Sequence, residues 1–237
     1  MAPVQLHAGT SGFSYKEWKG SFYPADLAAD RMLAFYASKL RTVEVNNTFY
    51  RMPKGEVLER WAGEVPEGFR FVIKASQRIT HRARLANAGE ALGYLWQAVQ
   101  HLGDRRGPLL FQLPPNFKKD TERLRAFLAE LPEGCRAAFE FRHDSWNDDE
   151  VYAALRERSC AWCSADTEEG ETVLPPATAD WGYLRLRRPD YAEADLAQWA
   201  VRIRGQPWSE AFVFFKHEDA GTAPRLAAQL DGLFSAG

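Results

Sequence analysis

The chain has 237 residues, 46% of them hydrophobic and 26% charged, with a formal net charge of −2 at neutral pH. This balance fits a globular domain with a substantial core and excludes a globally basic nucleic-acid binder, while leaving a local basic patch open. No apolar stretch approaches the ~20 residues of a membrane span. The first residues lack a basic start followed by an apolar run, and three cysteines, an odd number, argue against a disulfide framework. Neither a membrane segment nor a secretory leader is expected, and a reducing, cytoplasmic location is.

In chain order, the first apolar run is QLHAGT from Gln5. A helical stretch from Ala28 to Leu40 follows, with Leu33, Tyr36, Ala37 and Leu40 on one face. The runs TVEVNN from Thr42 and FRFVIKA from Phe69 read as strands. Between Glu90 and Leu102, Leu92, Leu95, Trp96 and Val99 share a face, leading to PLLFQLP from Pro108. Asp120 and Thr121 cap a helix carrying Leu124, Phe127, Leu128 and Leu131, before AAFEFRH from Ala137. Asn147 and Asp148 cap the next helix, before CAWCSAD from Cys160. The stretch from Asp166 to Trp181, with Gly170, Pro175 and Pro176, reads as a loop replacing the sixth helix. YLRLR from Tyr183, a helix on Leu196, Trp199, Ala200 and Ile203 ended by Gly205, and FVFFKH from Phe212 complete the series.

Alternating strands and helices imply a parallel sheet with right-handed crossovers, either open and doubly wound or closed. Eight units of near-equal size favour closure, so the expected fold is α/β, a (β/α)₈ TIM barrel forming one domain over residues 1–237. Cys160 and Cys163 form a C-x-x-C, but side chains three apart on a strand point to opposite faces, so a structural role is expected.

In a barrel, alternate side chains point inward. With Val43, Val45, Phe71, Ile73, Phe139 and Phe141 under the helices, Glu44, Asn46, Lys74, Glu140 and Arg142 face in, and the same period directs Gln112, Asp166, Arg185, Arg187 and Lys216 inward. Some of these charges could merely pair, as Glu44 with Lys74 and Glu140 with Arg142. Yet a desolvated ion costs several kcal/mol unless compensated, and all of them fall at the carboxyl ends of strands, where barrel enzymes keep their chemistry. Three acids against five bases make a pocket suited to phosphate or carboxylate. Phe13, Tyr15, Trp18, Phe49, Tyr50 and Trp146 could stack on a ring.

Other signals are weaker. His81, His143 and His217 could join the acids around a metal, but no ligand-spacing motif is present and the neighbouring cations oppose it, so no metal and no cofactor are expected. Gly9-Thr10-Ser11-Gly12 could offer backbone amides to an anion, although it lacks a phosphate-loop lysine. Ser11 has no evident base partner.

The strings Gly9-Thr10-Ser11-Gly12-Phe13 with Trp18 and Phe22-Tyr23-Pro24, Glu44-Val45-Asn46-Asn47-Thr48-Phe49-Tyr50, Lys74 with Ile79-Thr80-His81, Gln112-Leu113-Pro114-Pro115-Asn116-Phe117 and Glu140-Phe141-Arg142-His143-Asp144-Ser145-Trp146 resemble, in order, the motifs of the YecE-like proteins, domain of unknown function 72. The resemblance implies a (β/α)₈ barrel and no particular reaction. Its pocket positions fall on Glu44, Asn46, Lys74, His81, Gln112, Glu140, Arg142, His143 and Trp146. Two places depart from the family pattern: Arg187 stands where a histidine is frequent, and Lys216-His217-Glu218 where an Asn-Asn-Asp string is. Both departures add positive charge.

Three functions remain open. The first is a barrel acting on a small anionic ligand, a possible hydrolase, lyase or isomerase. Glu44, Glu140, Lys74, His143 and Asp166 are its catalytic candidates, and Asn46, Tyr50, His81, Gln112, Arg142, Trp146, Arg185, Arg187 and Lys216 its ligand-binding ones. The second is nucleic-acid binding or cleavage at the same face, as in barrels resembling endonuclease IV, using Arg78, Arg82, Arg84, Lys118, Lys119 and Arg188 on loops. The third is a catalytically silent ligand-binding or scaffolding domain. No membrane partner is expected, and the oligomeric state is not legible.

Overall fold

The alternation read from the sequence closes a sheet. A computed structural model describes residues 3–166 and 174–235. Its strands are β1 Gln5–Ser11, β2 Thr42–Val45, β3 Arg70–Lys74, β4 Arg106–Gln112, β5 Ala137–Glu140, β6 Ala161–Ala165, β7 Trp181–Leu186 and β8 Glu210–Phe215. They pair in sequence order into a closed barrel, and β1 completes it by running parallel to β8 over Gln5–Thr10. The helices are α1 Met32–Ala37, α2 Gly55–Gly63, α3 Gly89–Gln100, α4 Thr121–Glu130, α5 Asp149–Glu157, α6 Glu193–Arg204 and α7 Thr222–Ser235. None among the described residues is long and apolar enough to cross a membrane.

Capping residues act as the sequence indicates. The Asp120 side chain accepts from the Arg123 amide at the start of α4, and Asp148 accepts from the Glu150 amide at the start of α5. No helix forms over residues 174–180, between β6 and β7, and residues 167–173 of the expected loop lie outside the described residues. Trp181, expected in that loop, instead opens β7.

Outward-facing side chains such as Val43, Phe71, Ile73, Phe111 and Phe139 pack under the helices in the main core. Inward ones fill the barrel axis: Val72, Leu110, Ala138, Ala161, Cys163, Trp181, Tyr183, Phe212 and Phe214 form a separate cluster. The small residues of β5 and β6 make room for the aromatic ones of β7 and β8, so the barrel is plugged rather than open. Cys160 joins the outer core and Cys163 the inner one, on opposite sides of the sheet as expected of a strand. At Gly9 an added Cβ would lie 2.2 Å from the Thr42 carbonyl oxygen, so β1 and β2 approach closely only because the residue is glycine.

Candidate functional site

On top of the aromatic plug sits a buried ionic cluster, centred on Arg185 from β7. One guanidinium nitrogen donates to Glu44 Oε1 of β2 and the other to Glu140 Oε2 of β5, each at 2.7 Å. Glu44, wholly buried, also accepts from Ser11 Oγ at 2.7 Å, Tyr183 OH at 2.6 Å and Asn46 Nδ2 at 3.0 Å. Glu140 accepts further from Gln112 Nε2 at 2.8 Å, Arg142 Nε at 3.1 Å and the Arg187 guanidinium at 3.0 and 3.1 Å. The expected Glu140–Arg142 pair is present. Glu44 pairs with Arg185 rather than with Lys74.

This arrangement alters the acid/base expectation. Burial alone would raise both carboxyl pKa values, but the arginine charges and the donated hydrogen bonds outweigh it and hold Glu44 and Glu140 below their usual range. A carboxylate fixed in its charged form by this many donors is a poor proton donor at neutral pH. In this geometry both carboxylates accept from arginines.

Lys74, at the end of β3, is different. It is only 9% exposed, and its ammonium makes one hydrogen bond, to Gln112 Oε1 at 2.9 Å, while lying 4.2 Å from the Phe49 ring centroid. Burial and then the nearby Arg185 charge push its pKa down to about 8, against the pull of Glu44 and Glu140. A lysine whose native pKa lies below its usual 10.5 disfavours its charged form, so it costs stability below pH 8 and the cost fades as pH rises toward 10.5. Lys74→Met is therefore expected to stabilise the fold at pH 7 by about 1–3 kcal/mol. Urea unfolding checks this; a destabilised variant would contradict it.

The remaining sequence candidates divide. His81 meets Phe49 edge-on at 4.9 Å, and burial with the Lys74 and Arg142 charges lowers its pKa. Tyr50, 76% exposed, stands on the rim. His143 Nδ1 accepts from the Ser145 amide and so caps the Asp144–Trp146 turn. Five expectations are corrected. Trp146 is wholly buried, donates to the Phe117 carbonyl at 2.6 Å and stacks on Phe141, which leaves no face for a ligand; Trp18 is likewise wholly buried. Asp166 is buried but turns to the loop after β7, accepting from the Arg187 amide and from Tyr191 OH. Lys216 follows the last residue of β8 and is exposed, because alternation stops controlling direction where the strand ends. The glycine-rich string does not present free amides in sequence: Thr10 N–H donates to Tyr36 OH and Gly12 N–H to the Glu44 carbonyl.

Among the described residues, no three His, Cys, Asp or Glu side chains converge as a metal-holding set. His217, for one, is tied to the Arg188 carbonyl at 2.6 Å. Ser11 and Tyr183 were absent from the sequence candidates for the cluster. Both lie on the inward period of their strands, Tyr183 two residues before Arg185, so the same alternation rule reaches them.

Beside the cluster opens a cleft of about 700 Å³, lined by Glu140, Arg142, His143 and Arg187 and also by Tyr152 and Trp162. Arg187 Nε is buried there with no hydrogen-bond partner among the described residues. A groove of about 920 Å³ lies nearby against Phe13, Arg31 and Trp61, and shares only Asn46 with the cluster.

The architecture is that of a (β/α)₈ barrel with a charged cluster at the carboxyl ends of its strands. Residues 7–236 match the model of the family described as "Protein of unknown function DUF72", and the chain belongs to that family. YunF of Bacillus subtilis is 28% identical over 268 residues, covering 95% of this chain and 93% of that protein. YecE of Escherichia coli is 33% identical over 109 residues, a match that covers 46% of this chain and only 40% of the relative. Among solved structures, a DUF72 family protein from Thermotoga maritima superposes with a TM-score of 0.83 at 26% identity, over 98% of this chain and 99% of the other.

Proposed function

We propose that this barrel binds a small anionic ligand, carrying a phosphate or carboxylate, at the carboxyl end of its strands. The observation that carries the reading is the charge balance of the cluster. Among the described residues the side chains of Arg142, Arg185 and Arg187 form ion pairs with just two carboxylates, Glu44 and Glu140, and Lys74 pairs with neither, so these four cations outnumber the two acids by two. Arg185 is spent on the two glutamates. Arg187, whose Nε has no partner among the described residues, and Arg142, with 38% of its side chain exposed, remain able to grip an oxyanion from the cleft. The aromatic wall of Tyr152 and Trp162 would accept the body of such a ligand.

Nucleic acid is the less favoured partner. Lys119 is already paired with Asp148 at 2.7 Å and Arg188 with Asp195 at 2.9 Å, so these loop cations are partly neutralised. Titration with inorganic phosphate by calorimetry tests the main reading. Saturable binding is expected, weakened about 10- to 150-fold in Arg187→Ala or Arg142→Ala, the value of a charge-assisted hydrogen bond. Equal phosphate affinity in both variants and the parent would overturn it, as would salt-sensitive binding of DNA without phosphate binding. A bound metabolite that raises the melting temperature with no turnover would leave a binding protein rather than an enzyme.

A further inference from the structure

We propose that Lys74 is a carbonyl-capturing amine, forming an imine with an aldehyde or ketone group of the anionic ligand. The inference rests on the anion-binding reading above and names the reactive part of the ligand. Its basis is how the cluster distributes its partners. Both buried carboxylates are taken up by arginines, so the lysine between them keeps only a neutral partner, Gln112, and the face of Phe49. Among the described residues no acidic group lies within ion-pair distance of its ammonium. Lys119, by contrast, pairs with Asp148 at 2.7 Å on the surface, and that hydrogen bond raises its pKa.

Placement supports capture as well. Lys74 Nζ bonds Gln112, Gln112 bonds Glu140 Oε2, and Arg187 bonds the same oxygen, so a single side chain separates the amine from a lining residue of the cleft. A short ligand held by Arg187 and Arg142 would bring a carbonyl to the lysine. With a pKa of about 8, roughly 10% of the amine is neutral at pH 7, against roughly 0.03% for an ordinary lysine. A desolvated lysine beside other cations is a recurrent way of making such a nucleophile.

The step balances without a further reactant. The neutral amine adds to the carbonyl carbon, forming a C–N bond while the carbonyl π electrons pass to oxygen, which takes up a proton. A proton leaves nitrogen to give the carbinolamine. The proton released when the ammonium became neutral returns to the hydroxyl, which leaves as water; the C–O bond breaks and the nitrogen lone pair closes the C=N bond. The product is a protonated imine, with the same charge as the ammonium it replaces.

The test is reductive trapping on the native full chain, using pyridoxal 5′-phosphate as a phosphate-bearing aldehyde, borohydride, and peptide mass mapping at pH 7.5. Pyridoxal without its phosphate runs in parallel. Lys74 is expected to be labelled at least tenfold faster than Lys119, and excess inorganic phosphate should protect it. Labelling spread evenly over the surface lysines, or absent from Lys74 while calorimetry shows phosphate bound, would overturn the inference and leave the anion site standing. Equal labelling of Lys74 by both aldehydes would support the amine and remove the phosphate grip.

Discussion

Arg185→Leu is expected to destabilise the fold by about 3–5 kcal/mol, because it leaves two buried carboxylates without the charge that joins them. The side chains of Arg185, Glu44 and Glu140 are each no more than 3% exposed, so solvent cannot replace the lost guanidinium. In a domain of this size the loss corresponds to a fall in melting temperature of about 6–20 °C. Glu44 would keep Ser11, Tyr183 and Asn46, and Glu140 would keep Gln112, Arg142 and Arg187. These donors set the lower end of the range. Arg185→Lys should recover little, since an ammonium cannot direct parallel donors to two separate carboxylates. The surface pair Arg125–Glu157 has the same 2.7 Å separation, yet its side chains are 45% and 60% exposed. Arg125→Ala is expected to cost less than about 1 kcal/mol. Urea unfolding of the three variants compares them. Similar losses for Arg185→Leu and Arg125→Ala would show that the buried bridge has no special weight.

Acid should unfold this protein steeply. Glu44 and Glu140 are held below the usual carboxyl value of 4.5, and Glu210 is lowered to about 2 because the His7 hydrogen bond and Arg136 outweigh its burial. For a carboxyl whose native pKa is depressed, the stabilisation is complete above the unfolded value and is lost as pH falls toward the native one. Stability should therefore be flat with respect to these groups above about pH 5.5 and fall below pH 4.5, by up to about 4 kcal/mol per pH unit where all three titrate together. Glu210 lies at the opposite, amino end of the barrel, with His7 at 2.7 Å and Arg136 at 2.6 Å. Glu210→Gln should remove about a third of that slope without affecting phosphate binding. Denaturant midpoints measured from pH 6 to pH 3 test this, and an unchanged slope in Glu210→Gln would refute the assignment.

Much of the barrel was legible because a two-residue period and a helical period leave distinct traces. Glu44, Lys74, Gln112, Glu140 and Arg185 all fall where alternation places them, since each lies within a strand whose neighbours fix its face. Past the strand ends the rule holds for some residues, as Asn46, Arg142 and Arg187 still reach the two glutamates, and fails for others. Asp166 and Lys216 each follow a last strand residue, where loop hydrogen bonding or solvent decides direction. Trp146 was misread for a different reason: a tryptophan near a strand end reads alike whether it fills the rim or floors it, and only the packing of Phe117 and Phe141 decides. The pairing of charges was not legible either. Which acid meets which base depends on how distant strands are spaced around the barrel, so Arg185 reaching across to Glu44, 141 residues away in sequence, had no local signal. What the structure adds is that both glutamates are paired with arginines while Lys74 keeps only Gln112 among the described residues.

The most direct measurement is a crystal soaked in millimolar selenate, whose anomalous signal locates the oxyanion without ambiguity. The expected result is an ordered ion against the Arg187 guanidinium and within reach of Arg142, on the cleft side of Glu140. Selenate ordered elsewhere on the surface, with the Arg187 and Arg142 side chains still closed on Glu140 and no density beside them, would contradict it.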